Sequence, residues 1–93
     1  MIKSFADRRT EDLFADGFAK GVPHDVAKRA VRKLDMVDSA FCVEDLRVPP
    51  GNRLHVLSGK RTGQWAIAVN DQWHICFRFE GEDAFDVEFC DYH

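Results

Sequence analysis

The stretch Arg47–Arg53, "RVPPGNR", does most to limit what this chain can fold into. Pro49 and Pro50 bar a helix and Gly51-Asn52 favours a turn, so the chain is cut near its middle. Before the cut, apolar residues recur at helical spacing. Thr10-Glu11-Asp12 offers a cap and acidic first-turn residues, Leu13, Phe14 and Phe18 follow at helical intervals, and Gly17 stands where a helix stops, which predicts a helix over Asp7 to Asp16. Pro23 suits a first helical position, and Val26, Ala27, Ala30, Val31 and Leu34 form one stripe of a second helix reaching Val37. Met1 to Phe5 reads as a short first strand.

After the cut the period changes to two. Leu54 and Val56 alternate with Arg53 and His55, and Trp65, Ile67 and Val69 alternate with Ala66 and Ala68. Trp73, Ile75, Phe77 and Phe79 alternate with His74, Cys76 and Arg78, and Phe85, Val87 and Phe89 with Asp86, Glu88 and Cys90. The connections "SGKRTG", "NDQ" and "EGED" are short enough for hairpins. The expected fold is therefore α+β: two N-terminal helices packed on a small, mainly antiparallel sheet, covering its Trp/Ile/Phe face and leaving the other face open.

At 93 residues, the chain reads as a single domain over 1–93. A content of 45% hydrophobic and 31% charged residues excludes disorder as the main state. No apolar run approaches the ~20 residues of a bilayer span, and no signal-peptide core follows Met1, so a cytoplasmic protein without a membrane role is expected. Cys42, Cys76 and Cys90 form an odd set without framework spacing, as for reduced thiols. The net charge of −3 argues against a general nucleic-acid binder. Residues 80–93 hold six acidic and no basic side chains, so any nucleic-acid role requires a local basic patch elsewhere. Lys28, Arg29, Arg32 and Lys33 on the second helix supply one; the plainer reading is a solvated cationic face.

Alternation places His74, Cys76 and Arg78 on the open face, where Arg53, His55 and Tyr92 join them if strand order and register permit. Ala66 and Ala68 are small and would leave a hollow between them. A hollow lined by His, Arg and Tyr suits phosphodiester cleavage in RNA: imidazoles titrate near neutrality and serve as base and acid, while arginine supplies a cation at any pH. Half-buried packing is the competing reading of the same residues. A zinc site from His74, Cys76, Cys90 and His93 is disfavoured, because residues three apart on a strand face opposite ways.

The ordered combination of "MIKSF", "GNRLHVLSGKRTGQWAIAVNDQWHICFRF" and the terminal "DYH" resembles HigB-type toxins of the RelE/ParE superfamily across essentially the whole chain. That resemblance implies a small α+β toxin that enters the ribosomal A site and cuts mRNA without a metal or other cofactor. It also implies a HigA-type helix-turn-helix antitoxin as partner, which binds operator DNA, so that this chain meets that DNA only indirectly. Carried onto matching positions, the family's catalytic set falls on His55, Asp91, Tyr92 and His93, with Arg53, Lys60, Arg61, His74 and Arg78 as candidate phosphate-binding groups and the basic patch of the second helix as the ribosome-docking face. Two positions depart from the family pattern: His74 stands where an arginine is usual, and Ser58 where a lysine is common. Both changes remove a cation expected near the scissile phosphate, which implies either an attenuated or inactivated toxin or a site rebuilt around His74. Arg78, four residues along the strand, lies ~13 Å from position 74.

Two other functions fit the same fold. A binding toxin that blocks a topoisomerase or another protein would have no need for His55 and a terminal "DYH". An ordinary interaction module would cause no growth arrest.

Overall fold

The computed structural model describes residues 1–91. Helix α1 spans Arg8–Asp16 and helix α2 spans His24–Ser39. Strands β1 (His55–Val56), β2 (Trp65–Ala68), β3 (His74–Glu80) and β4 (Asp83–Cys90) form one antiparallel sheet in the order β1-β2-β3-β4. The expected α+β architecture is present. No helix among the described residues is long and apolar enough to cross a membrane.

The cap of α1 is Asp7 rather than Thr10. Its carboxylate accepts from the Thr10 backbone N–H at 2.8 Å and from the Thr10 hydroxyl at 2.6 Å, satisfying a donor that the first turn leaves open. Thr10 is buried, and its hydroxyl oxygen also accepts from the Phe89 N–H at 2.8 Å, tying the helix start to β4. Gly17 ends α1 at φ 84, a conformation that favours glycine, and donates its N–H to Leu13 O at 3.0 Å. In α2 the buried stripe is Ala27, Ala30, Leu34 and Val37; Pro23 occupies the cap position, so the helix starts at His24, one residue later than expected, and continues two residues past Val37.

Both helices cover one face of the sheet, burying Leu13, Leu34, Ile67, Ile75, Phe77 and Phe89 completely. Each of these large side chains contributes about 1.5–3 kcal/mol of burial. Trp73 stacks on Phe89 with centroids 4.5 Å apart, and the Arg9 guanidinium lies over both rings at 5.4 and 5.1 Å while donating to Phe89 O at 2.9 Å. The functional end of β4 is thereby fixed from behind.

The N-terminal segment is not a strand of its own. It makes isolated parallel bridges, Ile2 to Ala84 and Phe5 to Val87, with backbone bonds of 2.8–3.1 Å along the outer edge of β4. That edge is thus shielded from other chains. The opposite edge ends differently from expectation: β1 is only two residues long, and Val56 is exposed at 63%, because the helices do not reach this margin of the sheet. Leu54 alone of that pair packs against the core.

The face away from the helices is not an open hollow. Ala66, Cys76 and Cys90 are buried there with Leu57 against them. The connection after β1 folds into a short 3-10 turn, Gly59–Arg61, and Arg61 reaches back to Glu88 on β4 at 3.1 and 3.4 Å. Small side chains invited the loop to close over them.

Candidate active site

The site grows from the cut in the sequence. After the second 3-10 turn, Pro50–Asn52, Arg53 sits in the left-handed region at φ 50, and its carbonyl oxygen lies 2.7 Å from His55 Nδ1. A carbonyl only accepts, so Nδ1 carries the proton of this bond. In neutral His55 the lone pair is then on Nε2, the nitrogen that can act as a base. His55 is exposed on the edge strand.

Register brings His74 to it. His55 pairs with Ala66, and Ala68 with His74, so the two imidazoles sit on adjoining rows separated by alanines. Their ring centroids are 6.3 Å apart and nearly perpendicular, at 88°. Ala66 and Ala68, small and buried, lie on the strand between the two imidazoles.

His74 pairs with Cys90 on its other side, which delivers the end of β4 to the same place. Asp91 follows, exposed, and accepts from Gln72 Nε2 at 3.1 Å. The β2–β3 turn that presents Gln72 is itself held by Asn70, whose side-chain oxygen accepts from the backbone N–H groups of Gln72 at 2.8 Å and Trp73 at 2.7 Å. Tyr92 and His93, the remaining members of the expected catalytic set, lie outside the described residues.

The expected cations separate into two groups. Arg53 is exposed beside His55, and with Arg29 and Lys33 it lines a cleft of about 250 Å³ that also includes Asn70 and Asp71. Arg32 joins Arg29 and Lys33 in a neighbouring cleft. The basic side of α2 is thus continuous with the His55 edge through Arg53, whereas Lys28 is exposed and borders neither cleft. Lys33 donates to Asn52 Oδ1 at 2.5 Å, and burial, then the nearby Arg29, push its ammonium below the usual lysine range.

In the second group, Arg61 and Arg78 are committed elsewhere. Arg61 is half-buried against Glu88, whose hydrogen bond is the main cause of its raised pKa. Arg78 bonds Asp86 at 3.0 Å and Glu80 at 2.6 Å, and lies over Phe85 at 5.5 Å, four residues along β3 from His74. Lys60 is exposed in the Gly59–Arg61 turn. These pairings also account for much of the acidic C-terminal segment: Glu80 and Asp86 are balanced by Arg78, Glu88 by Arg61, and Asp83 faces the N-terminal ammonium at 3.7 Å.

Sequence reasoning did not single out Gln72, Asn70 or Glu88 for the site. Asn70 and Gln72 carried a signal, an Asn-initiated turn between two strands, but its link to Asp91 depends on tertiary contact. Glu88 was visible only as one more acid.

Comparison with known proteins places the whole chain among characterised relatives. Residues 3–93 match the family model described as RelE-like toxin of type II toxin-antitoxin system HigB. The chain is 37% identical to "Endoribonuclease HigB" of Proteus vulgaris over 93 residues, covering all of both chains. It is 34% identical to "Toxin HigB-1" of Vibrio cholerae over 80 residues, covering 85% of this chain and 84% of the relative. Membership of a two-component toxin–antitoxin family implies an antitoxin partner. With two helices on a four-stranded antiparallel sheet and a full-length match, the chain belongs to the HigB family of RelE-like type II toxins.

Proposed function

We propose that this chain is an RNA endonuclease that cuts mRNA on the ribosome, acting in the cytoplasm. The observation that carries the reading is the pair of imidazoles, His55 and His74, at the sheet edge where β4 delivers its C-terminal end. The name of the Proteus vulgaris relative supports RNA as the substrate.

In the proposed reaction His55 Nε2 takes the proton of a ribose 2′-OH, and that oxygen attacks the adjoining phosphorus. His93 protonates the departing 5′ oxygen, Tyr92 orients the substrate or assists proton transfer, and Asp91, which accepts from Gln72, sets the tautomer of a neighbouring imidazole. Arg53 and protonated His74 offset the charge that builds on the phosphate oxygens. Side chains fill every role, so no metal ion is needed. His74 performs the cationic role only when protonated and lacks the planar fork of a guanidinium, which makes this an attenuated enzyme.

The basic clefts of α2 would hold the ribosome, and a HigA-type antitoxin would neutralise the toxin and carry it to operator DNA. The purified protein, mixed with programmed ribosomes, is expected to cut mRNA, and naked mRNA far more slowly. Replacing Arg29, Arg32 and Lys33 together with alanine should lower ribosome association about tenfold or more, on the scale of losing three phosphate contacts. Intact mRNA after incubation with ribosomes would refute the enzyme reading; unchanged association of the triple variant would refute this docking face. Inhibition of a purified topoisomerase with mRNA left whole would favour a binding toxin instead.

A further inference from the structure

Cys76 and Cys90 occupy the two strands of the β3–β4 hairpin on the face away from the helices, and both are buried. Their sulfurs stand 2.7 Å apart. That is well inside the ~3.5–4 Å at which unbonded heavy atoms rest, and the ~2.05 Å of a disulfide is a small step away. Reduced thiols without framework spacing are what the sequence predicts, and that reading leaves the closeness of this pair unexplained. Cys42, by contrast, is exposed at the start of the Val43–Arg47 turn and faces Asp45.

A second feature bears on the same pair. The Arg61 guanidinium, held by Glu88, lies beside it, and Glu88 is the acid immediately across the hairpin from Cys76. Arg61 favours the thiolate at both sulfurs, and Glu88 opposes it. The hydrogen bond from Cys76 is the main influence that lowers the Cys90 pKa, while the same bond, with burial, raises that of Cys76. The pair is thus unequal: one sulfur is prepared to attack and the other keeps its proton.

We infer that Cys76 and Cys90 are a modification site, an oxidisable dithiol that a hydroperoxide converts to an intramolecular disulfide, fastening the last residue of β4 to β3 beside the His55–His74 edge. The Cys90 thiolate attacks the peroxide oxygen, breaking the O–O bond; Cys90 becomes a sulfenic acid and the other oxygen leaves as hydroxide, or alkoxide from an organic peroxide. The Cys76 sulfur then displaces the sulfenic oxygen, the S–S bond forms, and that oxygen leaves as water with the Cys76 proton. Two thiols lose two electrons and the peroxide gains them. The inference is independent of the RNA reading, since its product is detected without any activity.

The test uses the full chain with Cys42→Ser, which removes the one exposed thiol and puts a capping hydroxyl in its place. The folded protein is treated with hydrogen peroxide, denatured, alkylated and weighed. The expected product is monomeric, lighter by two hydrogen atoms and refractory to alkylation at both sulfurs. Trypsin cuts after Arg61 and Arg78, so the disulfide should join two otherwise separate peptides. Adding Cys76→Ser or Cys90→Ser should abolish this product. Both thiols remaining alkylatable, oxygen added to one sulfur only, or dimers in place of the internal bond would each overturn the inference.

Discussion

Replacing His55 with alanine is expected to slow mRNA cleavage on programmed ribosomes by about 10²–10⁴-fold, the usual contribution of a positioned general base. His55 is exposed, on a two-residue edge strand, with Nδ1 2.7 Å from the Arg53 carbonyl oxygen. Its removal should therefore change stability by no more than about 0.5 kcal/mol. A thermal melt that matches wild type, together with a collapsed cleavage rate, separates chemistry from folding. His55→Gln retains a polar group that can bond Arg53 O but supplies no titrating nitrogen, and should be as inactive as alanine. Unchanged cleavage by either variant would remove His55 from the reaction.

The second large effect runs the other way. His74→Arg should raise cleavage by about 10–10³-fold, up to the range in which a single donor to a developing oxyanion is felt. Position 74 lies between Ala68 and Cys90, so a longer side chain has the small alanine beside it and the strand end beyond. The guanidinium stays charged at every working pH and offers two parallel donors to phosphate. The gain should be greatest at alkaline pH, where an imidazole is neutral. Growth arrest on expression should strengthen in step with the rate. Equal toxicity and equal rates would mean that His74 already supplies what the reaction needs, and that the chain is not attenuated.

Much of the fold was legible because the hydrophobic period changes at Pro49-Pro50, and the strands beyond it alternate cleanly. What escaped was whatever depends on partners distant in sequence. The N-terminal segment carries β-like residues, yet it only bridges to β4 in parallel, because that edge was still unpaired. Thr10 looked like a cap and is instead buried between Asp7 and Phe89, a role that requires β4 to be present. Asn52 looked like a turn residue; it is buried, donating to Leu46 O at 3.1 Å and accepting from Lys33.

The site divides along the same line. Alternation put His74 and Cys76 on one face, and only register could bring His55 within 6.3 Å of His74 or set Cys90 against Cys76. Charge could be counted from sequence, but its pairing could not: Arg61 and Arg78 read as phosphate ligands and are bound to Glu88, Asp86 and Glu80. Arg53 has a longer, exposed pairing with Asp71 at 3.9 Å and lines the cleft beside α2.

The chemistry of the cut ends is the most direct measurement. If the imidazoles on β1 and β3 drive attack by the ribose's own hydroxyl, mRNA recovered from ribosomes treated with this protein must carry a cyclic 2′,3′-phosphate upstream of the break and a free 5′-hydroxyl downstream. Fragments bearing a 3′-hydroxyl and a 5′-phosphate would show that water had been the nucleophile, and would contradict the account.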